Sequence, residues 1–159
     1  MLKVSRKQVD GRMDKPVLKI KRLAEGVELP RRETPGSAGF DLRAGLDAPL
    51  EVAPGQWAMG PTGLAMEIPQ GLAGMVFSRS GLGTKQGMVG AQGVGVIDSD
   101  YRGEVKVPLR NMGADPYEIK PGERVAQLVL LPVGLPLVEE VEGLTGTQRG
   151  EGGFGSTGK

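Results

Sequence analysis

The sequence predicts an all-β protein, a distorted barrel or sandwich of short strands with a single short helix. Two observations carry this. Apolar residues recur with period two in segment after segment, which is the spacing of half-buried strands. The 27 Gly and 12 Pro among 159 residues interrupt those segments at short intervals, as turns do.

Residues 1–15 are polar and aperiodic, and read as a flexible extension outside the fold. Residues 17–21 form the first strand. Strands at 39–43, 56–60 and 63–68 follow, broken by Gly and Pro; in the last of them Leu64, Met66 and Ile68 share one face. Residues 72–78 form another strand. Only 79–86 reads as a helix, with Ser78 or Ser80 as its cap. Residues 94–97 are apolar and strand-like. In 104–110, Val105, Val107 and Leu109 face one way, and Glu104, Lys106 and Arg110 the other. Residues 124–131 are apolar on both faces except Gln127. There is no internal repeat. The expected division is an extension at 1–15, a β-barrel catalytic domain at 16–140 and a C-terminal arm at 141–159.

Composition narrows the chemistry. With no Cys and no His, thiol nucleophiles, disulfides, the usual zinc ligands and Ser-His-Asp mechanisms are excluded. Catalysis must rest on carboxylates, hydroxyls, Arg or Lys, or on a hard cation held by oxygen. The lack of disulfides fits a cytoplasmic location. The net charge of +1 is unevenly spread: residues 1–32 hold ten Lys/Arg against four Asp/Glu, and the remainder ten against fifteen. The basic start is read as a solvated tail, with no nucleic acid required. No apolar run is long enough to span a membrane, and there is no signal-peptide core.

Five segments carry polar residues where chemistry needs them. In 95–104 (GVIDSDYRGE) an apolar strand ends at Asp98, and a polar turn follows. Beside the apolar Val96–Ile97 edge a carboxylate can act as a general base, and Tyr101 offers a flat face to a sugar or base. An Asp- and Gly-rich hairpin turn would look the same. In 77–85 (FSRSGLGTK), Arg79, Ser80 and the N–H of Gly81 open the helix, a seat for an anion or an ordinary turn. In 36–44 (GSAGFDLRA), Asp41 interrupts an apolar strand. In 121–132 (PGERVAQLVLLP), Gln127 is a lone amide that needs partners. The tail, 149–159 (RGEGGFGSTGK), has five Gly in eleven residues and no means of forming its own helix or strand. It carries Phe154, Ser156, Thr157 and Arg149, which suit a flap closing over a flat ring bearing phosphates; a frayed terminus has the same composition. Residues 153–159 also spell the G-x-x-x-x-G-K of a P-loop, but no helix follows Lys159, and that reading is rejected.

Taken together and in this order, the five segments resemble the motifs of the trimeric dUTP nucleotidohydrolase (dUTPase) family, over about residues 16–159. The resemblance implies a homotrimer of the β-clip type with a swapped C-terminal arm and active sites at subunit interfaces. It implies hydrolysis of dUTP to dUMP and pyrophosphate, which keeps uracil out of DNA and supplies dUMP for dTMP synthesis. Asp98 would activate the water that attacks the α-phosphorus. Tyr101 would pack on deoxyribose and exclude a 2′-hydroxyl. The hairpin from about Gly90 to Gly95, with Gln92, Val96 and Ile97, would read uracil through its backbone and shut out the thymine methyl. Arg79, Ser80, Gly81, Arg149, Gly155, Ser156 and Thr157 would hold phosphates, Phe154 would stack on uracil, and Lys106 would contribute from the next strand. Mg2+ would ride on the triphosphate without a direct protein ligand, its waters met by Asp41 and Gln127. Two residues depart from the pattern: Ser78 stands where many relatives have Pro, and Gln92 where some have Asn. The rival readings are a dCTP deaminase-type relative, which lacks such a tail, and a nucleotide-dependent regulatory protein on the same fold.

Overall fold

The computed structural model describes residues 16–153. In chain order the elements are β1 (Lys19–Arg22), β2 (Phe40–Arg43), β3 (Leu50–Val52), β4 (Trp57–Glu67), β5 (Leu72–Ser78), α1 (Ser80–Gln86), β6 (Met88–Gly90), β7 (Gly95–Ile97), β8 (Glu104–Asn111), β9 (Tyr117–Ile119) and β10 (Arg124–Pro132). They form a sheet of order β1-β4-β8-β6, a second of order β2-β10-β5-β7, and the pair β3-β9. All the pairings are antiparallel. The expected all-β class with one short helix is what the chain adopts.

One core lies between the sheets. Leu64, Met66, Val105, Val107 and Leu109 meet Leu42, Val76, Val125 and Leu128, and Val52 and Ile119 close one end. The alternation expected in 104–110 holds: Val105, Val107 and Leu109 are buried, and Lys106 and Arg110 exposed. The strands expected at 56–60 and 63–68 are one strand, β4. The Pro61–Gly63 stretch that reads as a break is a bulge, where the β4–β8 register shifts between Pro61 and Ala65. Thr62 Oγ1 donates to Val105 O at 2.6 Å, and Gly63 N donates to Glu104 Oε1 at 2.9 Å. The bulge is thus bonded, not frayed.

Asn111 is fully buried and joins β8 to its surroundings. Its Nδ2 donates to Val52 O and Asp115 O, both at 2.8 Å, and its Oδ1 accepts from Gly113 N at 2.8 Å. Every polar atom it buries has a partner.

The helix begins one residue later than expected and is not capped by serine. Arg79 takes the cap position with extended backbone and no side-chain cap bond. Ser78 Oγ instead accepts from Gly90 N at 2.8 Å, and Ser80 is already helical. At the other end Gly87 has φ 68, and a Cβ there would lie 2.6 Å from Gly113 N. Only glycine ends this helix against that loop.

Tyr117 supplies a test of the barrel's end. Its hydroxyl donates to Glu123 Oε1 at 2.5 Å, and burial, then this bond and the neighbouring charge, push its pKa up to about 12. The folded protein therefore keeps a proton that the unfolded chain releases near pH ~10. Stability from this group is complete below pH ~10 and is lost between about 10 and 12. Urea midpoints of the wild type are expected to fall more steeply over that range than those of Tyr117→Phe. Parallel curves would show that the pair contributes nothing.

Candidate active site

β7 lies beside β5 with Gly95 opposite Val76, Val96 opposite Met75 and Ile97 opposite Gly74. Where β7 ends, a cleft of about 370 Å³ opens between these strands and β4 and β8. Gln92, Gly95, Val96, Ile97, Asp98, Tyr101 and Lys106 all line it, together with Met59, Glu104 and Pro108. Seven of the residues singled out from sequence thus share one cavity.

Asp98 follows the last residue of β7 and starts a turn, with Tyr101 N donating to Asp98 O at 3.2 Å. Its carboxylate is exposed and, among the described residues, accepts no side-chain hydrogen bond. Tyr101 is held against its own turn by its hydroxyl, which donates to Glu104 O at 3.0 Å. Its ring lies where any Cβ on Gly103 would collide, so the glycine of this turn is required by contact. Arg102 NH1 closes the turn through Ser99 O at 2.7 Å and Tyr101 O at 3.0 Å. Lys106 Nζ stands 3.6 Å from Glu104 Oε2.

The hairpin above the cleft is tied to neighbouring strands at two places and closed by one bond of its own. Gly90 N donates to Ser78 Oγ, Ala91 N to Pro108 O at 2.8 Å, and Gly93 N to Gly90 O at 3.0 Å. Gly93, at φ 77, makes the reversal. Backbone tied this way forms a rigid wall.

A second group gathers at the start of β10. Asp41 accepts from Arg79 Nε on one oxygen at 3.2 Å and from Arg124 NH1 on the other at 3.1 Å. Arg79 NH1 also donates to Arg124 O at 3.3 Å, and Arg124 pairs with Glu33 at 3.2 Å. Gln127, opposite Asp41 in the β10–β2 ladder, donates to Ser78 O at 3.4 Å. Ser80 and Gly81 are exposed on the first turn of α1, with open space over Gly81. Both oxygens of Asp41 face guanidinium groups, so its charge is already balanced within the chain. Among the described residues no group of three or more acidic side chains is placed to hold a metal ion.

None of Asp41, Arg79, Ser80, Gly81, Gln127 and Arg149 lines the Asp98 cleft. Arg149 lies in the exposed arm beyond β10, its Nε donating to Gly152 O at 2.8 Å. Phe154, Gly155, Ser156 and Thr157 lie outside the described residues, as does the extension at 1–15. Arg124 and Glu104 were not singled out from sequence. No local pattern marks either, since Arg124 meets Asp41 across 83 positions and Glu104 meets Gly63 across 41.

The chain is thus an all-β scaffold with a strand-end carboxylate, a hairpin over a cleft and a separate group of arginines, and its curated relatives are nucleotidohydrolases. The comparisons with known proteins narrow this. The family model described as dUTPase matches residues 25–158, and the chain belongs to the dUTPase family. A deoxyuridine 5′-triphosphate nucleotidohydrolase of Rhizobium etli is 50% identical over 147 residues, covering 90% of this chain and 94% of that protein. One of Desulfitobacterium hafniense is 52% identical over 132 residues, 82% of this chain and 87% of its own. The structure of Staphylococcus bacteriophage 80alpha dUTPase with dUPNHPP is similar at TM-score 0.83 and 28% identity, over 91% of this chain and all of that one. A mutant dUTPase from phage phi11 of S. aureus, described for its coordination of a structural Mg(II) ion, is similar at TM-score 0.72 and 25% identity, over 80% and 97%.

Proposed function

We propose that the protein hydrolyses dUTP to dUMP and pyrophosphate, with Asp98 as the general base. The observation that carries this is the placement of Asp98 and Tyr101 in one cleft under a pinned hairpin, in a chain of the dUTPase family. Asp98 takes a proton from water, whose oxygen attacks the α-phosphorus; the bond to the bridging oxygen breaks and pyrophosphate leaves. Transfer at a tetra-anionic triphosphate needs charge neutralisation and an aligned water more than a covalent nucleophile. Tyr101 packs on deoxyribose, and the hairpin with Gln92, Gly95, Val96 and Ile97 receives uracil. Arg79, Ser80, Gly81, Arg149, Gly155, Ser156 and Thr157 bind phosphate oxygens, Phe154 stacks on the base, and Lys106 adds positive charge in the cleft. Asp41 and Gln127 are the residues that would meet the water shell of a Mg2+ carried by the triphosphate, which would supply further charge neutralisation.

The separation of the Asp98 cleft from the Arg79 group within one chain is the reason to propose a homotrimer. Neighbouring copies would bring the two halves together, with the C-terminal arm crossing to another subunit. The arm fits that role: Leu135, Leu137, Val138 and Leu144 are 72, 98, 99 and 90% exposed, so this chain offers them no cover. We place the enzyme in the cytoplasm; no described helix is long and apolar enough to cross a membrane.

The test is pyrophosphate release from dUTP, dTTP, dCTP and UTP. A preference in kcat/KM for dUTP over all three is expected. Comparable values for dUTP and dCTP would leave a less selective phosphohydrolase, and ammonia release from dCTP would make it a deaminase.

A further inference from the structure

We infer that Glu33 is an internal counter-anion of the Arg79 group: it pairs with Arg124 and so weakens the hold on phosphate that the two arginines would otherwise have. This rests on the reading of Arg79 as a phosphate-binding residue. Four charges make up the group. Asp41 bridges Arg79 Nε at 3.2 Å and Arg124 NH1 at 3.1 Å, and Glu33 Oε1 stands 3.2 Å from the same NH1. Among the described residues, none of the four bridges to a charge outside the set. Two arginines and two carboxylates cancel; without Glu33 the group carries a surplus positive charge.

The two carboxylates are not equivalent. Asp41 accepts a hydrogen bond on each oxygen, and its side chain is only 16% exposed. Taking it away would strand part-buried cations. Glu33 meets Arg124 as an ion pair alone, on a side chain 51% exposed. Exposed ion pairs add little to stability, so Glu33 is the carboxylate that an incoming phosphate displaces. Arg79 can share that phosphate. Its NH1 donates to Arg124 O at 3.3 Å, which makes the two residues neighbours, and among the described residues its NH2 has no partner.

The backbone keeps Glu33 close. Just before it, Asp41 N donates to Arg31 O at 3.3 Å, and the Arg32 guanidinium lies 4.6 Å from the centre of the Phe40 ring. Just after it, Ser37 N donates to Thr34 O at 3.1 Å and closes a turn. A carboxylate anchored this way stays near Arg124 after a phosphate has taken its place, and competes for the arginine again. The effect falls hardest on the most highly charged ligand, so Glu33 promotes release of pyrophosphate.

Two variants test this. Glu33→Gln removes the charge and keeps the shape, and Glu33→Asp keeps the charge. The readout is Kd for pyrophosphate, dUMP and deoxyuridine by calorimetry, at low and at high salt. At low salt Glu33→Gln is expected to bind pyrophosphate about fivefold tighter, the size of one unit charge acting through water, with a smaller gain for dUMP and a change within about twofold for deoxyuridine. The gain should fade at ~1 M salt, and Glu33→Asp should stay within about twofold of wild type throughout. Unchanged or weaker pyrophosphate binding in Glu33→Gln overturns the inference. An equal gain for deoxyuridine overturns it too, by making Glu33 a packing residue. Arg79→Ala is the control: if it binds pyrophosphate as wild type does, the group is no phosphate seat and the inference falls with that reading. If wild type does not hydrolyse dUTP while the gain in Glu33→Gln remains, the proposed reaction fails and the role of Glu33 stands.

Discussion

Asp98→Asn is expected to lose on the order of a hundredfold to ten-thousandfold in kcat, the usual cost of removing a general base. The substitution keeps the shape of the side chain and removes proton acceptance. Among the described residues the carboxylate accepts no side-chain hydrogen bond and is exposed, so the fold gives up nothing with it. Nucleotide affinity should persist, because Tyr101 and the hairpin are held by other bonds. Single-turnover hydrolysis of dUTP reads the chemical step directly. Rates near wild type in the variant would remove Asp98 from the mechanism.

Deleting residues 149–159 is expected to abolish most activity while barely moving the melting temperature. The described residues beyond Val133 carry no helix or strand and are almost all exposed, so their loss uncovers no core. What is lost is Arg149, Phe154 and the tail hydroxyls. If the arm serves a neighbouring subunit, a full-length Asp98→Asn chain co-expressed with a tail-less chain that keeps Asp98 regains partial activity. Some sites in such mixed trimers combine an intact Asp98 with a tail. Purified mixed trimers that stay inactive would show that each tail serves its own chain, or that the assembly is not a trimer.

The Asp98 cleft and the Asp41 group differed in how far they could be read. Asp98 and Tyr101 were legible because they sit in one turn after three apolar residues, and a turn keeps sequence neighbours together. The cradle around Asp41 was not. Its carboxylate meets Arg79 and Arg124, 38 and 83 positions away, and no local pattern encodes a partner at that distance. Glu104 was hidden likewise: its bond to Gly63 spans 41 positions and exists only because β4 bulges opposite β8.

The strand count shows the same limit. β3, β6 and β9 have three residues each, too few for alternation to register. β4 was divided in sequence because Pro61 and Gly63 signal a turn, whereas in the sheet Thr62 and Glu104 bond the irregular stretch into a bulge.

By itself, then, the sequence determined what period and punctuation encode: the all-β class, the single helix, the inward face of β8, and a chemistry without thiol or imidazole. Tertiary structure decided which segments meet. It set Asp41 between two guanidinium groups and left the Arg79 group off the Asp98 cleft. Side-chain alternation depends on the geometry of one strand, whereas strand pairing and the contacts it creates depend on closing long loops around a shared core, a cost and a reward that no short window of residues contains.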